Sequence, residues 1–158
     1  MSGVGHRATG PELALRKRLH GAGFRFRVQF PVPARPRRSI DIAFPRWRVA
    51  VFVDGCFWHS CPEHRTEPTA NREWWLKKLR SNSDRDTDTD EALRKAGWTV
   101  VRVWEHQTVD DGYSDVLAAL RASGHPRARV QVPEAFVSVH RARVIRPTDV
   151  GGVLGGDR

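Results

Sequence analysis

In the stretch VDGCFWHSCPEH, residues 53–64, two cysteines, two histidines, two carboxylates and two adjacent aromatics fall within twelve positions, directly after an apolar run. Thiolates and imidazoles together are zinc ligands. Cys56, Cys61 and His64 stand in a Cys-x4-Cys-x2-His pattern that can wrap three ligands around one ion. A tetrahedral structural site needs a fourth ligand. His106, at the end of the later run WTVVRVWEH, is the candidate, because two strand ends can lie side by side in one sheet. The other reading of these residues is two buried reduced cysteines and two solvated histidines. A disulfide between Cys56 and Cys61 would suit a secreted chain, but the opening MSGVGHRATG has no apolar core of a secretory signal. Reduced thiols and a cytoplasmic, nucleoid-associated location are therefore expected.

A second cluster is acidic. Asp41 interrupts the otherwise apolar SIDIAF, and a bare carboxylate there is costly unless it is hydrogen-bonded or holds a cation. Asp54 follows thirteen positions later, at the end of the next apolar run. Two carboxylates at the ends of neighbouring strands, near a histidine, can hold magnesium for hydrolysis of a phosphodiester. His59 would then take a proton from the attacking water. The plainer alternatives are a turn cap for Asp54 and a salt bridge to an arginine for Asp41.

These side chains need a frame, and the periodicities supply one. Thr9 followed by Glu12 is a capping-box pattern, and Pro11 suits an early helical position, so a helix from about Pro11 to His20 is predicted. FRFRVQF alternates Phe24, Phe26, Val28 and Phe30 with Arg25, Arg27 and Gln29, the pattern of a strand with one buried and one basic face. PVPARPRR reads as a loop whose arginines could contact phosphates. SIDIAF and RVAVFV, joined by PRW, read as an antiparallel hairpin, the second strand covered on both faces. Residues 69–97 look helical, with Trp75, Leu79, Asn82 and Asp86 on one stripe and Leu93 and Ala96 further on. SNSDRDTDTD has poor helix propensity, so a kink or break is expected there. WTVVRVWEH is a further strand and YSDVLAALRASG a short closing helix. Trp47, Trp74, Trp75, Trp98 and Trp104 are read as core or core-edge residues. The order predicts an α/β mixed sheet flanked by helices.

Lys and Arg number 27 against 18 Asp and Glu, a formal charge of +9. Such an excess attracts polyanions, nucleic acid above all. No segment approaches the roughly 18 uninterrupted apolar residues of a membrane span. The chain divides into an N-terminal arm (1–8), one domain (9–124) and an extension (125–158) that lacks a stable period and is expected to be partly disordered.

IDIAFPRWRVAVFVDGCFWHSCPEH, followed by NREWWLKKLRSNSDRD and AGWTVVRVWEH, resembles the very short patch repair (Vsr) DNA mismatch endonucleases over roughly Thr9 to Gly124. The resemblance implies a restriction-endonuclease-like fold, a structural zinc and a magnesium-dependent centre that nicks the thymine strand of a T:G mismatch left by deamination of 5-methylcytosine. It also implies roles. Asp41 matches the metal-binding aspartate, and Val53 stands where a backbone carbonyl joins the metal shell. His59 matches the water-activating histidine, and Glu12 an acidic residue of the first helix that supports the centre through solvent. Cys56, Cys61, His64 and His106 fall at the zinc ligands, the last at a place that some members fill with cysteine. Phe57 and Trp58 match an aromatic wedge inserted beside the mismatch, where an already poorly stacked step costs less to open.

One position departs. Where the best-known members carry a histidine that assists the leaving group, this chain has Asp54, which cannot be a cationic proton donor near neutral pH. An aspartate could instead bind a metal directly. The implied partner is double-stranded DNA with a T:G pair, with mismatch-repair proteins as a further class; no membrane partner is expected, and a monomer suits a one-strand cut. Two other readings stand beside this one: a sequence- or structure-specific nickase linked to restriction-modification, and a zinc-stabilised DNA-binding module without cleavage.

Overall fold

The computed structural model describes residues 8–56, 69–130 and 143–147. Helix α1 (Gly10–Gly21) leads into strands β1 (Arg27–Val32), β2 (Arg35–Phe44) and β3 (Val49–Asp54); α2 (Arg72–Lys95) crosses to β4 (Thr99–Trp104), and α3 (Val109–Ala122), α4 (Pro126–Val130) and β5 (Arg143–Ile145) follow. The strands form one mixed sheet in the order β1-β2-β3-β4-β5. Only β3 and β4 run parallel; the other pairs are antiparallel. The long α2 crossover is what makes that parallel pairing possible. α1, α3 and α4 cover one face through Leu15, Leu19, Val116, Leu120 and Ala128, which pack on Ile42, Val51 and Val101. α2 covers the other through Leu93, against Ala50, Phe52 and Val100. A mixed sheet flanked by helices is the expected architecture and is consistent with a nuclease fold. Among the described residues no helix is long and apolar enough to cross a membrane.

The α1 start is as read: Thr9 caps the helix, its hydroxyl accepting from the Glu12 N–H at 3.4 Å. The Glu12 carboxylate pairs with Arg16, one turn on. The hairpin of β2 and β3 also stands, closed by a short 3-10 turn at Pro45–Trp47. β3 lies between β2 and β4 with nearly every residue buried.

Five expectations need correction. The alternation in FRFRVQF does not persist: Gln29 has φ +50, which shifts the phase of the strand. Phe24 and Phe26 pack with one core, Phe30 with the other, and Val28 is 46% exposed. PVPARPRR is no open loop but the tip of a tight hairpin, with Val32 paired to Arg35 across Pro33 and Ala34. Ala34 takes the left-handed conformation, φ +63, that a type II turn requires of the residue after its proline. Within SNSDRDTDTD there is no break, because tertiary ion pairs described below override weak local propensity. Trp74 is 56% exposed rather than core-edge; Trp98 is buried as expected. The stretch after residue 125, read as lacking a stable period, contributes α4 and β5, with β5 pairing antiparallel to β4.

Candidate active site

The end of β3, the middle of β2, the start of α1 and the middle of α2 enclose a cleft of about 370 Å³. Glu12, Asp41, Val53 and Asp54, four residues singled out in the sequence, all line it. Pairing of Ile42 with Val51 brings Asp41 beside the last residues of β3. There the Val53 N–H donates to Asp41 Oδ2 at 3.0 Å. Burial pushes the Asp41 carboxyl up to about 6, and the charges of Glu12 and Asp54 push the same way; the Val53 N–H and Arg16 oppose them. Carboxylates gathered this way repel one another, and a cation would relieve the repulsion.

Asp54 has a partner that the sequence reading missed. Arg102, on β4, donates through its Nη1 to both Asp54 oxygens at 3.0 and 3.1 Å. Its Nε and Nη2 grip Asp90 of α2 at 2.9 and 2.7 Å, and Asp86 stands 3.8 Å away. Parallel register sets Phe52 opposite Arg102, and the guanidinium lies over the Phe52 ring at 4.5 Å. The arginine side chain is only 7% exposed. Burial alone would lower its pKa, but Asp54, Asp90 and Asp86 outweigh that and raise it. The signal was present in TVVRVW: one arginine inside a covered apolar strand demands a buried carboxylate.

Past the carboxylates the strand ends are tied together. The Glu105 N–H donates to the Asp54 carbonyl at 2.9 Å, and the Cys56 N–H to Glu105 Oε1 at 3.0 Å. This brings Cys56 Sγ to 3.1 Å from His106 Nδ1, so two of the four residues expected to hold zinc are adjacent. A tetrahedral zinc holds sulfur and nitrogen ligands roughly 3.5 Å apart, and the donor pair fits such an ion. Cys61 and His64 lie outside the described residues, as do Phe57, Trp58 and His59. Among the described residues no three His, Cys, Asp or Glu side chains form a metal site.

Two of the three hairpin arginines expected to meet phosphates, Arg35 and Arg38, are engaged within the chain. Arg35 donates from Nε and Nη2 to the two oxygens of Asp88 at 2.9 and 3.0 Å. Arg38 Nη1 donates to Asp88 at 2.6 Å and to Thr89 Oγ1 at 2.9 Å. These hydrogen bonds hold the Asp88 carboxyl down at about 2.

A basic chain whose helix-flanked mixed sheet brings Asp41 of mid-β2, rather than of a strand end as expected, into one cleft with Asp54 at the end of β3 and Glu12 of α1 is consistent, as a class, with the nucleases. Comparison with known proteins narrows the class. Residues 1–65 match the family described as DNA mismatch endonuclease Vsr. The chain is 43% identical over 123 residues to the Type II nicking enzyme V.NaeI of Lentzea aerocolonigenes, covering 74% of this chain and 72% of that protein. It is 37% identical over 115 residues to the Type II nicking enzyme V.XorIIP of Xanthomonas oryzae pv. oryzae, covering 71% and 81%. To the DNA mismatch endonuclease Vsr of Escherichia coli K12 it is 36% identical over 108 residues, 66% of each chain. The chain belongs to the Vsr family and is a DNA endonuclease.

Proposed function

We propose that this protein is a magnesium-dependent endonuclease that nicks one strand of duplex DNA 5′ to the thymine of a T:G mismatch, in repair of deaminated 5-methylcytosine. The observation that carries the reading is Asp41: a carboxylate driven up to about 6, oriented by the Val53 N–H and set among other carboxylates in one cleft. Asp41 and the Val53 carbonyl would hold the magnesium, which when bound supplies positive charge to the scissile phosphate. His59 accepts the proton of the attacking water. Glu12, held by Arg16, is buried in the same cleft and supports the centre through solvent there. Asp54, clamped by Arg102, lines the same cleft as Asp41. Cys56, Cys61, His64 and His106 hold a structural zinc that fixes the loop after β3, and Phe57 and Trp58 enter the stack next to the mismatch. A monomer acting in the cytoplasm suits a cut confined to one strand.

A second reading changes only the target. The relatives at 43% and 37% identity carry the name Type II nicking enzyme, which favours a nickase allied to a restriction-modification system and a particular site. One experiment separates the readings from each other and from a non-cutting DNA-binding module. Labelled duplexes, matched or with a T:G pair in varied flanks, are incubated with the protein and Mg²⁺, and the products are resolved by strand. Nicks confined to the T:G duplexes support the first reading, and nicks in matched duplex at one sequence support the second. Asp41→Asn is expected to keep DNA binding while lowering the nicking rate by more than about a hundredfold. Equal nicking by this variant would overturn Asp41 as the metal ligand.

A further inference from the structure

The cleft that holds Asp41 continues to the hairpin tip, where Gln29, Arg38 and Ser39 line it. Its two ends differ in charge. At the far end β2 has three residues, Pro36 to Arg38, that β1 does not match: Pro31 pairs with Ser39, but Val32 with Arg35. The extra residues carry Arg37 and Arg38, close along the strand to Arg35. Arg37 is exposed, and the Arg35 and Arg38 side chains are 43% and 24% exposed.

What Arg35 and Arg38 hold is informative. Asp88 receives a two-pronged fork from Arg35 and a third bond from Arg38. One carboxylate thus sits between two guanidiniums in the manner in which paired arginines hold the non-bridging oxygens of a phosphate. Two cations share one anion, leaving a net positive charge at the rim. Asp88 is itself 40% exposed, and exposed ion pairs are weak enough to be exchanged. Asp41 is three residues along β2 from Arg38, about 10 Å at strand rise. DNA advances about 3.4 Å per nucleotide on each strand, so Arg38 stands within about three nucleotides of Asp41, and Arg35 meets Arg38 at their shared Asp88.

We propose that Arg35 and Arg38 form a cradle for a backbone phosphate flanking the scissile one, and that Asp88 occupies this cradle in the free protein and is displaced when DNA binds. The inference rests on the endonuclease reading above. Asp88 keeps the cradle shaped and lowers non-productive adhesion to polyanions, at the cost of some affinity.

Affinity for a fluorescently labelled T:G duplex, measured without added Mg²⁺ over a range of salt, tests it. R35Q/R38Q is expected to weaken binding by about tenfold at low salt and to flatten the slope of log K against log salt by about one to two. D88N removes the negative charge that both arginines share and is expected to tighten binding by about twofold to tenfold. Both variants break the same tie between β2 and α2, so opposite effects on affinity distinguish phosphate contact from a folding defect. Weaker or unchanged binding by D88N overturns the displacement, and an unchanged slope in R35Q/R38Q overturns the cradle. If the wild type nicks T:G duplex while R35Q/R38Q keeps the wild-type slope, the cradle falls and the endonuclease reading stands; a wild type that binds no duplex overturns both.

Discussion

Asp41 is a conflict between folding and chemistry at one residue. Its carboxyl ordinarily titrates at 3.8 and is pushed to about 6 in the fold, by burial first and then by Glu12 and Asp54. A raised pKa means that the folded protein binds the proton more tightly than the unfolded chain. The stability this lends is complete below about 3.8 and is lost as pH rises through about 6. Asp41→Asn carries no charge at any pH and can still accept from the Val53 N–H. Without added magnesium it is expected to melt above the wild type at pH 7 to 8, by on the order of 1–3 kcal/mol, and to converge with it below about pH 4. Thermal melts across that range check this, and a constant offset at all pH would show that packing rather than charge sets the difference. The residue was legible in SIDIAF as a carboxylate among apolar neighbours. Its hydrogen bond was not, because strand register, not spacing along the chain, brings Val53 to it.

At the scale of elements the decisive unit is α2 against the sheet. Read alone, SNSDRDTDTD should weaken a helix, since Ser, Asp and Thr compete for the backbone. In the fold its aspartates meet arginines carried by two different strands: Asp88 meets Arg35 and Arg38 of β2, and Asp90 meets Arg102 of β4. The helix runs unbroken through Lys95 as a result. Arg102→Met would leave Asp54 and Asp90 buried without their cation. Urea unfolding at pH 7 is expected to show a loss of about 3–5 kcal/mol, with most of it recovered in R102M/D54N/D90N. A loss below about 1 kcal/mol would mean that solvent already screens the group. Position 54 thereby gains an explanation: an aspartate there and an arginine at 102 are halves of one interaction, and neither half is intelligible alone.

For the whole molecule, the outcome to watch is whether one ion joins the strand ends. Cys56 and His106 stand close while lying fifty positions apart in the chain. One zinc per chain is expected by elemental analysis, and His106→Ala should lose the metal and lower the melting temperature, since structural zinc binding is folding free energy. Retention of stoichiometric zinc in that variant would remove His106 from the ligand set. The charge of +9 belongs to this scale as well, setting attraction to DNA and its salt dependence rather than the fold.

Periodicity and residue type alone determined the order of helices and strands around the cleft, the covered β3, the capped α1 and the carboxylates of Asp41 and Asp54 in neighbouring strands. Each follows from interactions between near neighbours in the chain or from the cost of burying a polar group. The tertiary structure decided what lies between distant segments: Arg102 on Asp54, Asp88 between the hairpin arginines, the continuity of α2, the phase shift at Gln29 and the attachment of β5 to β4. These depend on the register of strands and on which face of α2 turns inward. Register is a property of paired chains, so no single stretch of sequence carries it.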